Sequence, residues 1–81
     1  LSDSEGLKST QLMDTLETFV LDAGCSIVET AKLMNIHANT VQYRLKHIRE
    51  ELNVDISDSS VVLGLTIALA IRRIDKEVRS I

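Results

Sequence analysis

The chain has 81 residues, 44% of them hydrophobic, with no Pro, three Gly and a net charge of −3. This is enough apolar material for one domain with a modest core, burying roughly 60% of the unfolded chain's surface, and it excludes disorder. No apolar run approaches the roughly 18 uncharged residues of a membrane span, and no signal peptide, repeat or period-two alternation of strand length is present, so the sequence points to an all-α fold.

Residues 1–8 are polar apart from Leu1 and Leu7, contain Gly6, and read as a lead-in or the end of an inter-domain linker, with residues 9–81 forming the domain. The lack of an initiator Met at position 1 suggests a fragment of a longer chain. A first helix is predicted over about 9–23, with Leu12, Leu16, Phe19 and Val20 on its apolar face and Asp14, Glu17 and Asp22 off it. Gly24 is suited to the position just after its end, where positive φ costs least. A second helix is predicted over 27–34. It opens with Ser26-Ile27-Val28-Glu29, a capping box in which the Ser26 hydroxyl accepts from the Glu29 amide and Glu29 reaches back to the Ser26 amide. Ile27, Ala31 and Met34 share one of its sides, and Asn35 can take the left-handed turn conformation that ends it.

A third helix is predicted over 38–52, where Val41, Leu45, Ile48 and Leu52 recur as one narrow stripe. A short helix, a tight turn and a longer helix make a helix-turn-helix unit, whose second helix enters the major groove of DNA. With Val41 at 0° and about 100° per residue, Gln42, Lys46, Asn39 and Tyr43 fall between roughly 100° and 200°. Amides can bond adenine, Lys can bond guanine or phosphate, and Tyr can donate to phosphate. A fourth helix is predicted over 58–74, capped by Ser57 or Asp58, with Arg72, Arg73 and Lys76 placed to suit its dipole. It is apolar on two sides: Val61, Leu65, Ala68 and Leu69 on one, Leu63, Ile67, Ala70, Ile71 and Ile74 on the other. Two readings stand for it: the buried central helix of the domain, or a helix whose second stripe packs on another subunit or an upstream region.

Charge is unevenly distributed. Residues 1–29 hold six acids and one base, residues 30–49 hold four bases and no acid, and residues 50–81 hold six acids and four bases. Lys32, Arg44, Lys46 and Arg49, with His37 and His47 beside them, form a basic island on an acidic body, which presents one side to a polyanion. The lone Cys25 cannot form an internal disulfide, in keeping with a reducing cytoplasm, and reads as a small buried apolar residue. His37 and His47 have no Cys or carboxylate at metal-ligand spacing, and no nucleophile–base pair or phosphate-cradling glycine loop is present. Neither a metal, a cofactor nor an enzymatic activity is expected.

The run His37-Ala38-Asn39-Thr40-Val41-Gln42-Tyr43-Arg44-Leu45 resembles the C-terminal helix-turn-helix domain of PucR/CdaR-type bacterial transcriptional regulators, and the similarity extends from about Leu12 to Ile74. The helix-turn-helix is also similar to that of Fis-type proteins. The resemblance implies a module that follows a larger N-terminal sensory region in a cytoplasmic transcription factor. It further implies that His37 and Asn39 begin the recognition helix, Thr40 lies where a phosphate contact is common, and Tyr43, Arg44 and Lys46 follow as backbone contacts or helix supports. Ala38 and Gln42 stand where such proteins often carry Arg. Gln42 can favour adenine instead, and Ala38 can pack on a thymine methyl. Arg44, about 60° from Val41, suits an intramolecular ion pair as well as a phosphate. The expected partners are therefore double-stranded DNA, a second copy in a homodimer, and the upstream sensory domain, with no membrane. The alternative is a helical dimerisation or interaction module with little DNA affinity.

Overall fold

The computed structural model describes residues 9–79, and all of its regular structure is helical. The lead-in 1–8 lies outside the described residues. Helix α1 spans Ser9–Glu17 and continues as a π-helical segment, Thr18–Asp22; α2 spans Ile27–Met34, α3 Ala38–Leu52 and α4 Ser59–Arg79. The second and third helices have the limits their sequence spacing predicts, and the other two depart from theirs.

At the end of α1 the apolar spacing predicts an unbroken α-helix, but the last turn is widened. The Ala23 amide bonds the Thr18 carbonyl at 2.9 Å, and the Cys25 amide reaches the Phe19 carbonyl at 2.8 Å. This packs Phe19, Val20 and Ala23 into the core together. The chain then reverses through Gly24 at φ 59° and Cys25 at φ 64°. A left-handed turn holds its side chains away from the core, so Cys25 is exposed rather than buried. The Ser26 hydroxyl accepts from the Glu29 amide at 3.2 Å, as a capping residue should. The reciprocal half of the box is not formed: the single Ser26 N–H donates to the Ala23 carbonyl at 3.1 Å, and the Glu29 carboxylate turns to Lys32 at 3.6 Å. Asn35 and Asn53 end α2 and α3 at φ 57° and 53°. Both are left-handed, which Asn tolerates better than other side chains.

The core is one cluster in which Leu16, Phe19 and Val20 of α1 meet Ala31 of α2, Val41, Leu45 and Ile48 of α3, Ile56 of the connecting loop and Leu69 of α4. Leu52, the last member of the α3 stripe, is 50% exposed because it lies beyond the end of that cluster. Two threonines are wholly buried within helices, each hydroxyl donating to the carbonyl four residues earlier: Thr15 to Gln11 at 2.8 Å and Thr30 to Ser26 at 2.7 Å.

Of the two residues offered as its cap, Asp58 caps α4, its carboxylate accepting from the Ser60 amide at 2.9 Å. The helix then runs past the expected end to Arg79, so Arg72 and Arg73 lie within it and cannot be explained by its dipole. They reach across to α1 instead. Arg72 bonds Glu17 at 2.6 Å, and Arg73 bonds Glu17 at 2.7 Å and Asp22 at 2.7 Å; Lys76 stands 3.7 Å from Asp14. The buried-helix reading of α4 fails, since Leu69 is its one buried residue among those described. It lies along the Thr18–Asp22 segment as an outer layer rather than through the middle of the domain.

Glu17, only 6% exposed, is the centre of this network. Burial alone would raise its pKa, but the hydrogen bonds from Arg73 and Arg72 outweigh that and hold it below the ordinary carboxylate value. A carboxylate with a depressed folded-state pKa contributes stability above its unfolded value, and that contribution is lost as pH falls through the folded one. Glu17→Gln should therefore cost about 2 kcal/mol at neutral pH, because it breaks a largely buried ion pair whose arginines keep other partners. Thermal melts followed by circular dichroism should show the wild type losing stability below the normal carboxylate range and the variant losing less. Parallel acid profiles would show that Glu17 does not carry the effect.

Candidate nucleic-acid interface

Helix α3 presents its surface because its other side is fixed. Val41, Leu45 and Ile48 are 0%, 2% and 3% exposed, which sets the rotation of the helix about its axis. Opposite them Asn39, Gln42, Tyr43 and Lys46 are all exposed, so the structure brings together the four residues that the helical wheel placed on one face. His37 stands exposed at the N-cap with extended backbone, φ −75° and ψ 150°, and makes no side-chain capping bond. Ala38 and Thr40 are half-buried, Ala38 resting against the core. Tyr43 stacks on His47 with ring centroids 6.4 Å apart and 25° between planes, which stiffens the outer side of the helix.

Arg44 is set apart from these residues. Its guanidinium turns towards α1, where Nη1 donates to the Thr15 hydroxyl at 3.2 Å, and its buried Nε has no hydrogen-bond partner. No carboxylate among the described residues bridges it, so neither the ion pair nor an outward-pointing cation is what the fold shows. It instead joins Thr15 and the Gln11 carbonyl in a short chain of polar contacts between α1 and α3.

Arg49 belongs near the site although the face analysis passed over it. It is exposed and lines one shallow groove with Gln42, Lys46 and the start of α2 at Ile27. The signal was in the sequence: Arg49 falls about 80° from Val41, just outside the arc taken for the groove face. Lys32, also in the basic island, lies on α2 beside Glu29. The acidic half of the chain is less of an obstacle to a polyanion than its formal charge implies. Asp14, Glu17 and Asp22 are already paired with the cations of α4, and their charge is largely compensated.

Comparison with known proteins places the chain among regulators. The family model described as the PucR C-terminal helix-turn-helix domain matches residues 12–71. The chain is 38% identical over 63 residues to the Purine catabolism regulatory protein of Bacillus subtilis, covering 78% of this chain and 12% of that protein. It is 42% identical over 50 residues to the Proline-responsive transcriptional activator PutR of the same organism, covering 62% of this chain and 12% of the relative. Against the DNA-binding transcriptional activator AdeR, also from Bacillus subtilis, identity is 30% over 66 residues, covering 82% of this chain and 15% of that protein. The chain thus spans between 12% and 15% of the length of these relatives. No solved structure matches it.

The contrast between Arg44 and its exposed neighbours is measurable in the protein alone. Arg44→Ala removes a packed stem and the bond to Thr15, and should cost about 1–2 kcal/mol of stability. Gln42→Ala and Lys46→Ala, which touch solvent, should stay within about 0.5 kcal/mol. Urea unfolding of the three variants reads this directly, and equal losses would contradict the division.

Proposed function

The chain belongs to the PucR C-terminal helix-turn-helix family, and we propose from this that it is the DNA-reading module of a bacterial transcriptional regulator, with α3 lying in the major groove of duplex DNA. The observation that carries the reading is the exposed face of α3. Asn39, Gln42 and Lys46 project together from a helix whose opposite side is locked in the core. Two amides and one cation, with Glu50 as the first acid along the helix, suit base edges and phosphates better than a purely solvated surface would. Gln42 and Asn39 bond adenine at N6 and N7, Ala38 offers a methyl to thymine, and His37, Thr40, Tyr43 and Lys46 contact the backbone.

Arg44 serves this site by positioning α3 against α1, while Arg49 supplies a cation on the α2 side of the groove. Such a module acts in the cytoplasm, downstream of a larger region that senses the signal; the much greater length of its relatives supports that arrangement. Its activity is binding rather than catalysis. Few phosphates are covered by one copy, so the working regulator carries two copies on two half-sites, about 34 Å apart along one helical turn.

Titrating mixed-sequence duplex at about 50 and 200 mM salt should show affinity falling with a log–log slope of about −0.9 per phosphate neutralised. Lys46→Ala should weaken all sequences alike and reduce that slope by about one unit. Absence of binding at the lower salt, with the chain folded, would remove the DNA reading and leave a helical interaction module. On a selected operator, Gln42→Ala should cost about 1–3 kcal/mol and relax preference at one base pair. A uniform loss across sequences would assign Gln42 to the backbone.

A further inference from the structure

Helix α4 has a second apolar face that nothing in the domain covers. Leu63, Ile67, Ile71, Ile74 and Val78 are between 58% and 64% exposed. At about 100° per residue they fall within an arc of roughly 80°, on the side opposite Leu69, whose 2% exposure marks the inner face. The stripe runs about 22 Å along the helix. From Ile67 it proceeds in steps of four, three and four residues, the spacing of a two-helix seam. Gly64 and Ala70 border it on either side, and a Cβ at Gly64 would meet nothing within 4 Å, so another helix can approach closely there.

We propose that this face pairs with the same face of a second copy of the chain, the two α4 helices running antiparallel. Three features favour this occupant. Each of the five residues leaves about 100 Å² open, so full mutual burial would remove at most about 1,000 Å² in total, near the threshold of a specific interface and in the range of a weak, reversible pair. A seam that is apolar along its centre, with the small Gly64 and Ala70 beside its middle, can meet its own copy, as an isologous pair requires. Direction follows from charge: Asp75, though bridged to Arg79 at 3.1 Å, and Glu77 flank the stripe near its C-terminal end, one on each side. A parallel pair would set the same C-terminal ends, with the negative ends of both helix dipoles, side by side. An antiparallel pair separates them and sets the helix dipoles in opposition. The pairing leaves both recognition helices open, because α4 packs on the Thr18–Asp22 segment while α3 packs on α2 and Ser9–Glu17.

This inference does not depend on DNA binding, and its test uses none. Sedimentation equilibrium of the 81-residue chain at sub-millimolar concentration should give twice the monomer mass, little affected by salt. Ile71→Glu, at a position 62% exposed in the single domain, should weaken association by on the order of a hundredfold while keeping the helical circular dichroism. In a Cys25→Gly background, Ala70→Cys should cross-link under mild oxidation and Val78→Cys should not, since antiparallel helices meet near Ala70. Cross-linking through Val78→Cys in place of Ala70→Cys would overturn the direction. A monomeric wild type, or an Ile71→Glu variant that still pairs, would overturn the proposal; the monomeric result would leave the stripe for the upstream part of a longer chain.

Discussion

Everything the exposed face of α3 can do depends on the rotation of that helix, and the rotation is set by burying Val41, Leu45 and Ile48 against Leu16 and its neighbours. Each of these side chains contributes about 1.5–3 kcal/mol when fully buried. Turning the helix by one residue, about 100°, would put Gln42 in the core and Val41 in water. The chain therefore holds Asn39, Gln42 and Lys46 outward through apolar contacts none of them makes. Arg44 adds a polar check on the same angle through Thr15.

The sequence was most legible where one local rule settled the matter. Helix α2 has a clear N-terminal cap in Ser26, both α2 and α3 have an Asn just past their ends and a single apolar stripe, and their limits agree with those the spacing predicts. Legibility failed where a residue's fate depended on a partner far along the chain. Glu17 reads as a solvated acid off the apolar face of α1, yet it is buried because Arg72 and Arg73 reach it from 55 and 56 residues away. The same long-range pairing conceals why α4 carries Arg72 and Arg73 where it does; the dipole argument fits Lys76 in the last turn but not these two. Cys25 was misplaced because its burial depended on the handedness of a turn, which Gly24 suggested for itself but not for its neighbour.

The ion network also changes how the overall charge should be understood. A net charge of −3 on 81 residues argues against a polyanion only if the acids are free to repel it. Here Asp14, Glu17 and Asp22 face Arg72, Arg73 and Lys76 on the α4 side of α1, so the charge of these three acids is compensated away from α3. Lys46 and Arg49 then matter more than a count of charges suggests. Charge placement, and not charge total, decides whether such a domain can approach DNA.

The two faces of α4 follow from the size of the domain. A core of this extent has room for one side of a 21-residue helix, and Leu69 with the partly buried Val62 and Leu65 fills it. The ion pairs to α1 hold the helix down without help from its outer side, so the outer stripe is not needed for the fold of a single copy. Exposed as it is, a row of five large apolar side chains is a liability in water unless something covers it. A stripe that stability does not require and solubility disfavours is the surface on which the proposed pairing rests. The network anchoring Arg72 and Arg73 then has a second consequence: it fixes the direction in which that stripe, and any copy paired to it, must face relative to α3.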